Sequence, residues 1–102
     1  MSGNLADQLL RSEAKIANLA QSFPCLRHAP GIDPWNAERL DTWAASGGPS
    51  HGERCSAHFV LAVWNPDHAW RSGKFDLMEA MRIWDTENHR AFLAWASNPW
   101  WA

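Results

Sequence analysis

Tyrosine is absent from this chain, and valine, isoleucine and threonine together supply only seven residues. The side chains that pack best on a pleated sheet are therefore scarce. No Asn-Gly or Asp-Gly pair offers a tight hairpin turn. Cysteine occurs twice, too seldom for a disulfide scaffold. No apolar run approaches the roughly 20 residues that span a bilayer. Basic charge is also not in excess: nine Lys and Arg face eleven Asp and Glu, for a net charge of -2. A general nucleic-acid binder is not expected at that balance. No phosphate loop, paired carboxylates or nucleotide fingerprint occurs. The first residues are polar and acid-containing, unlike a secretory or transit segment. A cytoplasmic protein without disulfides is the expectation.

What is present points to helices. Alanine, the strongest helix former, occurs sixteen times. With 102 residues, the chain is long enough to bury a core without metals or disulfides, and one domain over 1–102 is expected. The expected fold class is all-α, a compact bundle of four to five helices with a long N-terminal helix. Abundant Ala, Arg, Gly and Pro fit a GC-rich bacterial or phage gene.

Residues 4–23 read as the N-terminal helix, capped by Asn4. Leu5, Leu9, Ile16, Leu19 and Phe23 fall on one stripe at alternating steps of four and three, interrupted by Ser12. That stripe predicts a helix packed on its own domain, or an arm or seam through which two copies pair as a homodimer. Residues 24–34 form a Pro-rich connector, leading into a helical core over 33–102. Asp33 is the expected cap of a second helix, with Pro34 at its first position. Ser50-His51-Gly52-Glu53 matches a capping box and starts a third. This third helix, about 51–64, is apolar on every side in its later half and should be the most buried. A strand over 59–64 is the alternative. Asp76 and Asp85 cap a fourth and a fifth helix. The fourth should bury Leu77, Ala80, Met81 and Trp84. The fifth should bury His89 or Phe92, with Leu93 and Ala96.

Two arrangements could carry chemistry. Cys25-x-x-His28 and Cys55-x-x-His58 repeat one spacing and use both cysteines. Thiolate and imidazole are zinc ligands, commonly paired at short spacing, so Cys25, His28, Cys55 and His58 form a candidate zinc set with His51 as a spare. Ser50, His51, Glu53, Cys55 and His58 also resemble the kit of a Cys-dependent enzyme. Such an enzyme needs a thiol of lowered pKa.

Tryptophan is over-represented, with eight residues. A chain of this size cannot fully bury eight indoles, each with an N–H that needs a partner. Trp43, Trp64 and Trp84 fall on or beside apolar helical faces and are expected in the core. Trp35, Trp70, Trp95, Trp100 and Trp101 are the expected partner-binding patch. Trp and Arg are the residues most enriched at binding hot spots. The leading expectation is a non-enzymatic module that binds a protein partner through an aromatic and Arg-containing face, as an adaptor, regulator or inhibitor. The alternatives are a zinc-stabilised small domain and the Cys-dependent enzyme. A lid formed by Trp100 and Trp101 folding back is the structural alternative to their exposure.

Overall fold

Three side-chain caps set the helix starts that local sequence predicts. Ser50 Oγ accepts the Glu53 N–H at 3.2 Å, and Glu53 Oε1 accepts the Ser50 N–H at 2.7 Å. Asp76 accepts the Glu79 N–H at 3.1 Å, and Asp85 accepts the Asn88 N–H at 3.0 Å. Each satisfies a backbone donor that the first helical turn leaves without a partner. In the computed structural model, which describes residues 5–102, the elements are α1 (Leu5–Gln21), a 3-10 turn (Pro24–Leu26), α2 (Ala37–Ala45), α3 (His51–Trp64), α4 (Leu77–Ile83) and α5 (Thr86–Ala96). The fold is an all-helical bundle, with no strand among the described residues. The cap expected of Asn4 lies outside the described residues.

α3 is the central element. Cys55, Ala57, Phe59, Val60, Leu61 and Val63 are all buried, and the helix packs against α1, α2, α4 and the 3-10 turn. Residues 59–64 are helical, because the capping box commits this segment and neighbours surround it. Phe59 is the hub of an aromatic cluster. Its ring centroid lies 5.6 Å from Phe23, 5.3 Å from both Phe75 and Phe92, 5.0 Å from Trp95 and 6.4 Å from Trp84. Trp84 donates its indole N–H to Ser56 Oγ at 2.8 Å, so both buried polar groups are satisfied.

α2 starts at Ala37, not after Asp33. Gly31 O accepts the Asn36 N–H at 2.8 Å, closing a turn that holds Asp33, Pro34 and Trp35 outside the helix. Asn36 is the cap and accepts the Arg39 N–H at 3.1 Å. Gly31 has φ +79°, and a Cβ there would sit 2.5 Å from Asn36 O, so the close approach requires glycine.

The faces of α4 and α5 differ from the periodicity reading. Leu77 and Met81 are exposed, and only Ala80 is buried within α4. Ala80 and Trp84 are buried as expected, and Phe75, just before this short helix, fills the space that Leu77 and Met81 leave, its ring centroid 5.9 Å from that of Trp84. On α5, Asn88 and Ala91 are buried while Leu93 and Ala96 are exposed. Asn88 sets that rotation: its side chain donates to Asp85 Oδ1 at 2.9 Å and accepts the Cys25 N–H at 3.4 Å, tying α5 to the 3-10 turn.

The long loop between α3 and α4 is anchored by one carboxylate. Asp41, buried on α2, accepts the Arg71 N–H at 2.9 Å and the Ser72 N–H at 2.8 Å. Burial pushes the Asp41 carboxyl upward. The hydrogen bonds from Ser72 and Arg71, with the Arg71 charge, outweigh that and leave it below its ordinary value of 3.8. A lowered folded pKa contributes stability that is complete above the unfolded value and lost as pH falls through the folded one. Asp41→Ala is therefore expected to cost about 1–3 kcal/mol at neutral pH. The gap to the parent should narrow in acid below that unfolded value. Urea unfolding at neutral and acid pH checks both, and an equal gap at both would contradict the assignment.

Candidate functional site

α1 has two unlike halves. Ile16, Ala17, Leu19 and Ala20 are buried against the bundle, and the stripe continues into buried Phe23. The first two turns stand clear: Leu5 is 83% exposed, Leu9 52% and Leu10 63%. The expectation of a helix packed on its own domain holds for the second half of the stripe, and half-buried Ser12 marks the junction with the uncovered half. The molecule measures 46 × 29 × 25 Å along its principal axes.

Indoles flank the exposed half. Leu9 and Ser12 line a concavity of about 520 Å³ with Trp64, Pro66, Trp101 and Ala102. Beyond Leu10, a smaller one of about 190 Å³ is bounded by Ala14, Ala17, Pro34 and Trp35. Trp35 and Trp64 touch, with ring centroids 5.4 Å apart. Three of the five expected patch residues therefore gather around α1: Trp35, Trp100 and Trp101. Trp64 joins them, half-buried, although its place beside an apolar face suggested the core. Its position as the last residue of α3, just before Asn65-Pro66, is the signal that could have placed it at the surface. Trp43 is also half-buried, and Trp84 alone of the eight is buried.

The remaining two patch residues are committed elsewhere. Trp95 packs on Phe59 and donates its N–H to Trp100 O at 2.9 Å. Trp70 donates to Asn65 O at 3.3 Å and packs at a tilt against His68, 4.2 Å away, on the loop side of the bundle.

The C-terminal segment is docked rather than free. Ala102 donates its N–H to Val63 O at 3.1 Å, continuing past the end of α3. The Lys15 ammonium lies 4.3 Å from the Trp100 ring centroid. Trp101 meets Trp95 edge-on at 5.4 Å, yet remains 58% exposed. Trp100 is half-buried against the core, whereas Trp101 is held at its edge by Trp95 and stays exposed.

The four residues of the candidate zinc set do not converge. Cys25 donates its thiol to Ser56 Oγ at 3.2 Å. His28 is exposed on the connector. His58 lies against Gly73, on the loop side. The spare histidine, however, is well placed: among the described residues, His51, Cys55 and Glu79 form the group whose ligand atoms approach one another. His51 Nε2 is 2.5 Å from Glu79 Oε1, and Cys55 Sγ is 3.9 Å from the same oxygen. Glu79 escaped the sequence reading because it lies on α4, distant in the chain from both.

Both cysteines are free. Burial, reinforced by the Glu79 charge, pushes the Cys55 thiol up to about 11. Burial also raises Cys25, despite its hydrogen bond to Ser56. Burial lowers His58, although the Ser72 backbone and Glu79 oppose that.

The chain matches no family model, no curated protein and no solved structure. The functional reading therefore rests on its own geometry. No helix among the described residues is long and apolar enough to cross a membrane.

Proposed function

We propose that the protein is a small non-enzymatic binding module that docks a protein helix along the exposed half of α1, and that a second copy of the chain is its occupant. One observation carries this reading: three leucines on two successive helical turns face water, beside a concavity lined by Trp64 and Trp101. Scattered exposed leucines are ordinary, but a row with an aromatic rim marks an interaction surface.

A second copy fits for three reasons. Leu5 and Leu9 belong to the same stripe that is already satisfied further along α1, and Leu10 stands beside it. Each copy supplies both a leucine row and an indole-lined groove, which is the self-complementarity a two-fold interface needs. Arg11, Glu13 and Lys15 place both signs of charge beside the row, and a net charge of -2 opposes association only weakly. The same surface would serve an adaptor, a regulator or an inhibitor. The raised thiol pKa values argue against the Cys-dependent alternative, whose nucleophile must be a thiolate.

Sedimentation velocity over a concentration series tests the proposal. A concentration-dependent dimer is expected. Leu9→Glu should abolish it while changing the melting temperature little, because an exposed substitution usually shifts stability by no more than about 0.5 kcal/mol. A chain that stays monomeric at about 100 μM, where association worth about 5.5 kcal/mol would register, rules the pairing out.

A further inference from the structure

α3 and α4 bring three different metal-binding side chains to one point. His51 and Cys55 stand four residues apart on α3 and project from one face. Glu79 reaches across from the first turn of α4. Their ligand atoms all lie within 4.8 Å of one another. Around tetrahedral zinc, ordinary bond lengths put an imidazole nitrogen and a carboxylate oxygen about 3.3 Å apart, and a thiolate sulfur and that oxygen about 3.6 Å apart. Closing on an ion asks sulfur and oxygen to approach slightly, from 3.9 Å, and brings sulfur and nitrogen, which lie within 4.8 Å, to about 3.6 Å. The hydrogen-bonded nitrogen and oxygen, now at 2.5 Å, must part by less than an ångström.

The backbone is already set for that adjustment. His51 follows a capping box, and the Glu79 N–H is held by Asp76. The His51 and Glu79 side chains are partly open to solvent and can shift, while Cys55 is buried and fixed. An ion pair between His51 and Glu79 accounts for two of the three groups. The buried Cys55 thiol lies 3.9 Å from the same carboxylate oxygen and completes a group of three ligand atoms.

We propose that His51, Cys55 and Glu79 form a zinc site that clamps α3 to α4, with water in the fourth position. One nitrogen, one sulfur and one oxygen suit a borderline-soft ion of tetrahedral preference. Three protein ligands with solvent on the open side leave that fourth position to water. On binding, the Cys55 S–H bond gives way to a sulfur–zinc bond and the proton passes to solvent. The imidazole coordinates through an unprotonated nitrogen. Cys25 takes no part, because its thiol is engaged by Ser56.

Cobalt(II), added to protein stripped with a chelator, reports the site directly. One equivalent should produce a sulfur-to-cobalt charge-transfer band in the near ultraviolet, together with the intense visible bands of four-coordinate cobalt. Zinc should displace the cobalt and raise the melting temperature, since it binds the folded state. Cys55→Ser should lose the charge-transfer band and Cys25→Ser should keep it, with circular dichroism verifying that both are folded. His51→Gln and Glu79→Gln change partly exposed residues. Each should weaken cobalt binding by roughly tenfold or more, since even an outer partner of a metal ligand is worth that much. A parent protein without the thiolate band refutes the site. So does a band that survives in Cys55→Ser, or unchanged affinity in both His51→Gln and Glu79→Gln.

Discussion

Phe59→Ala is expected to destabilise the protein by about 3–5 kcal/mol, the range for truncating a buried aromatic that leaves a cavity. Phe59 is 3% exposed, and five other aromatic rings surround it, two on α5 and three just outside the ends of α1 and α4. These rings are contributed by residues throughout the chain, so no single segment can move to fill the void. For a chain of this length, the lower bound corresponds to a drop in melting temperature of roughly 12 °C or more. Differential scanning calorimetry measures it. A variant that melts within a degree or two of its parent would show that Phe59 is not the hub.

Replacing Trp100 and Trp101 together with alanine is expected to cost about 2–3 kcal/mol, less than two fully buried aromatics because one ring is half-buried and the other largely exposed. The loss should come mainly from Trp100. Its half-buried ring packs against the core beneath the Lys15 ammonium, whereas the backbone carbonyl that takes the Trp95 N–H is kept in alanine. Trp101→Ala alone should leave melting nearly unchanged and weaken α1 pairing, because Trp101 lines the groove beside Leu9. Thermal melts and sedimentation on the two single variants separate the roles. A double variant with unaltered melting would return both indoles to a free tail. If Trp101→Ala dimerised like the parent, the groove would have no part in pairing.

Capping explains why so much of the helix plan is legible along the chain. Ser50 with Glu53, Asp76 with Glu79 and Asp85 with Asn88 are each three residues apart, so the bonds they make are decided within one turn. The centrality of α3 is legible for a similar reason: a helix apolar on every side has to be surrounded. The start of α2 was missed because Asp33-Pro34 carries a valid cap signal of its own. A backbone bond between Gly31 and Asn36 outcompetes it by closing the preceding turn. Leu77 and Met81 on α4, and Leu93 and Ala96 on α5, face outward because several apolar positions compete for each interior side. The bundle chose through contacts from outside the helix, with Phe75 displacing Leu77 and Met81, and Asn88 fixing the turn of α5.

The candidate zinc set shows the same boundary from the side of chemistry. Repeated Cys-x-x-His spacing describes which groups are near in the chain, whereas a metal site depends on which groups are near in space. His51 and Cys55 were legible as one helical face. The third member, Glu79, was not, because only the packing of α4 on α3 brings it there. Cys25 and His58 were drawn away by partners on other elements, Ser56 and the Gly73 loop.

Composition and local hydrogen bonding by themselves determined an all-helical chain, the starts of three of its helices and the burial of α3. They also determined that eight indoles could not all be interior, because area and volume are properties of the composition alone. Only the tertiary structure decided which indoles remain outside and which half of the α1 stripe is covered. Those outcomes depend on where distant segments come to rest. The C-terminal residues dock on the end of α3 and under Lys15, while Trp101 and Trp35 only border Leu9 and Leu10 and leave the row with Leu5 largely open to water.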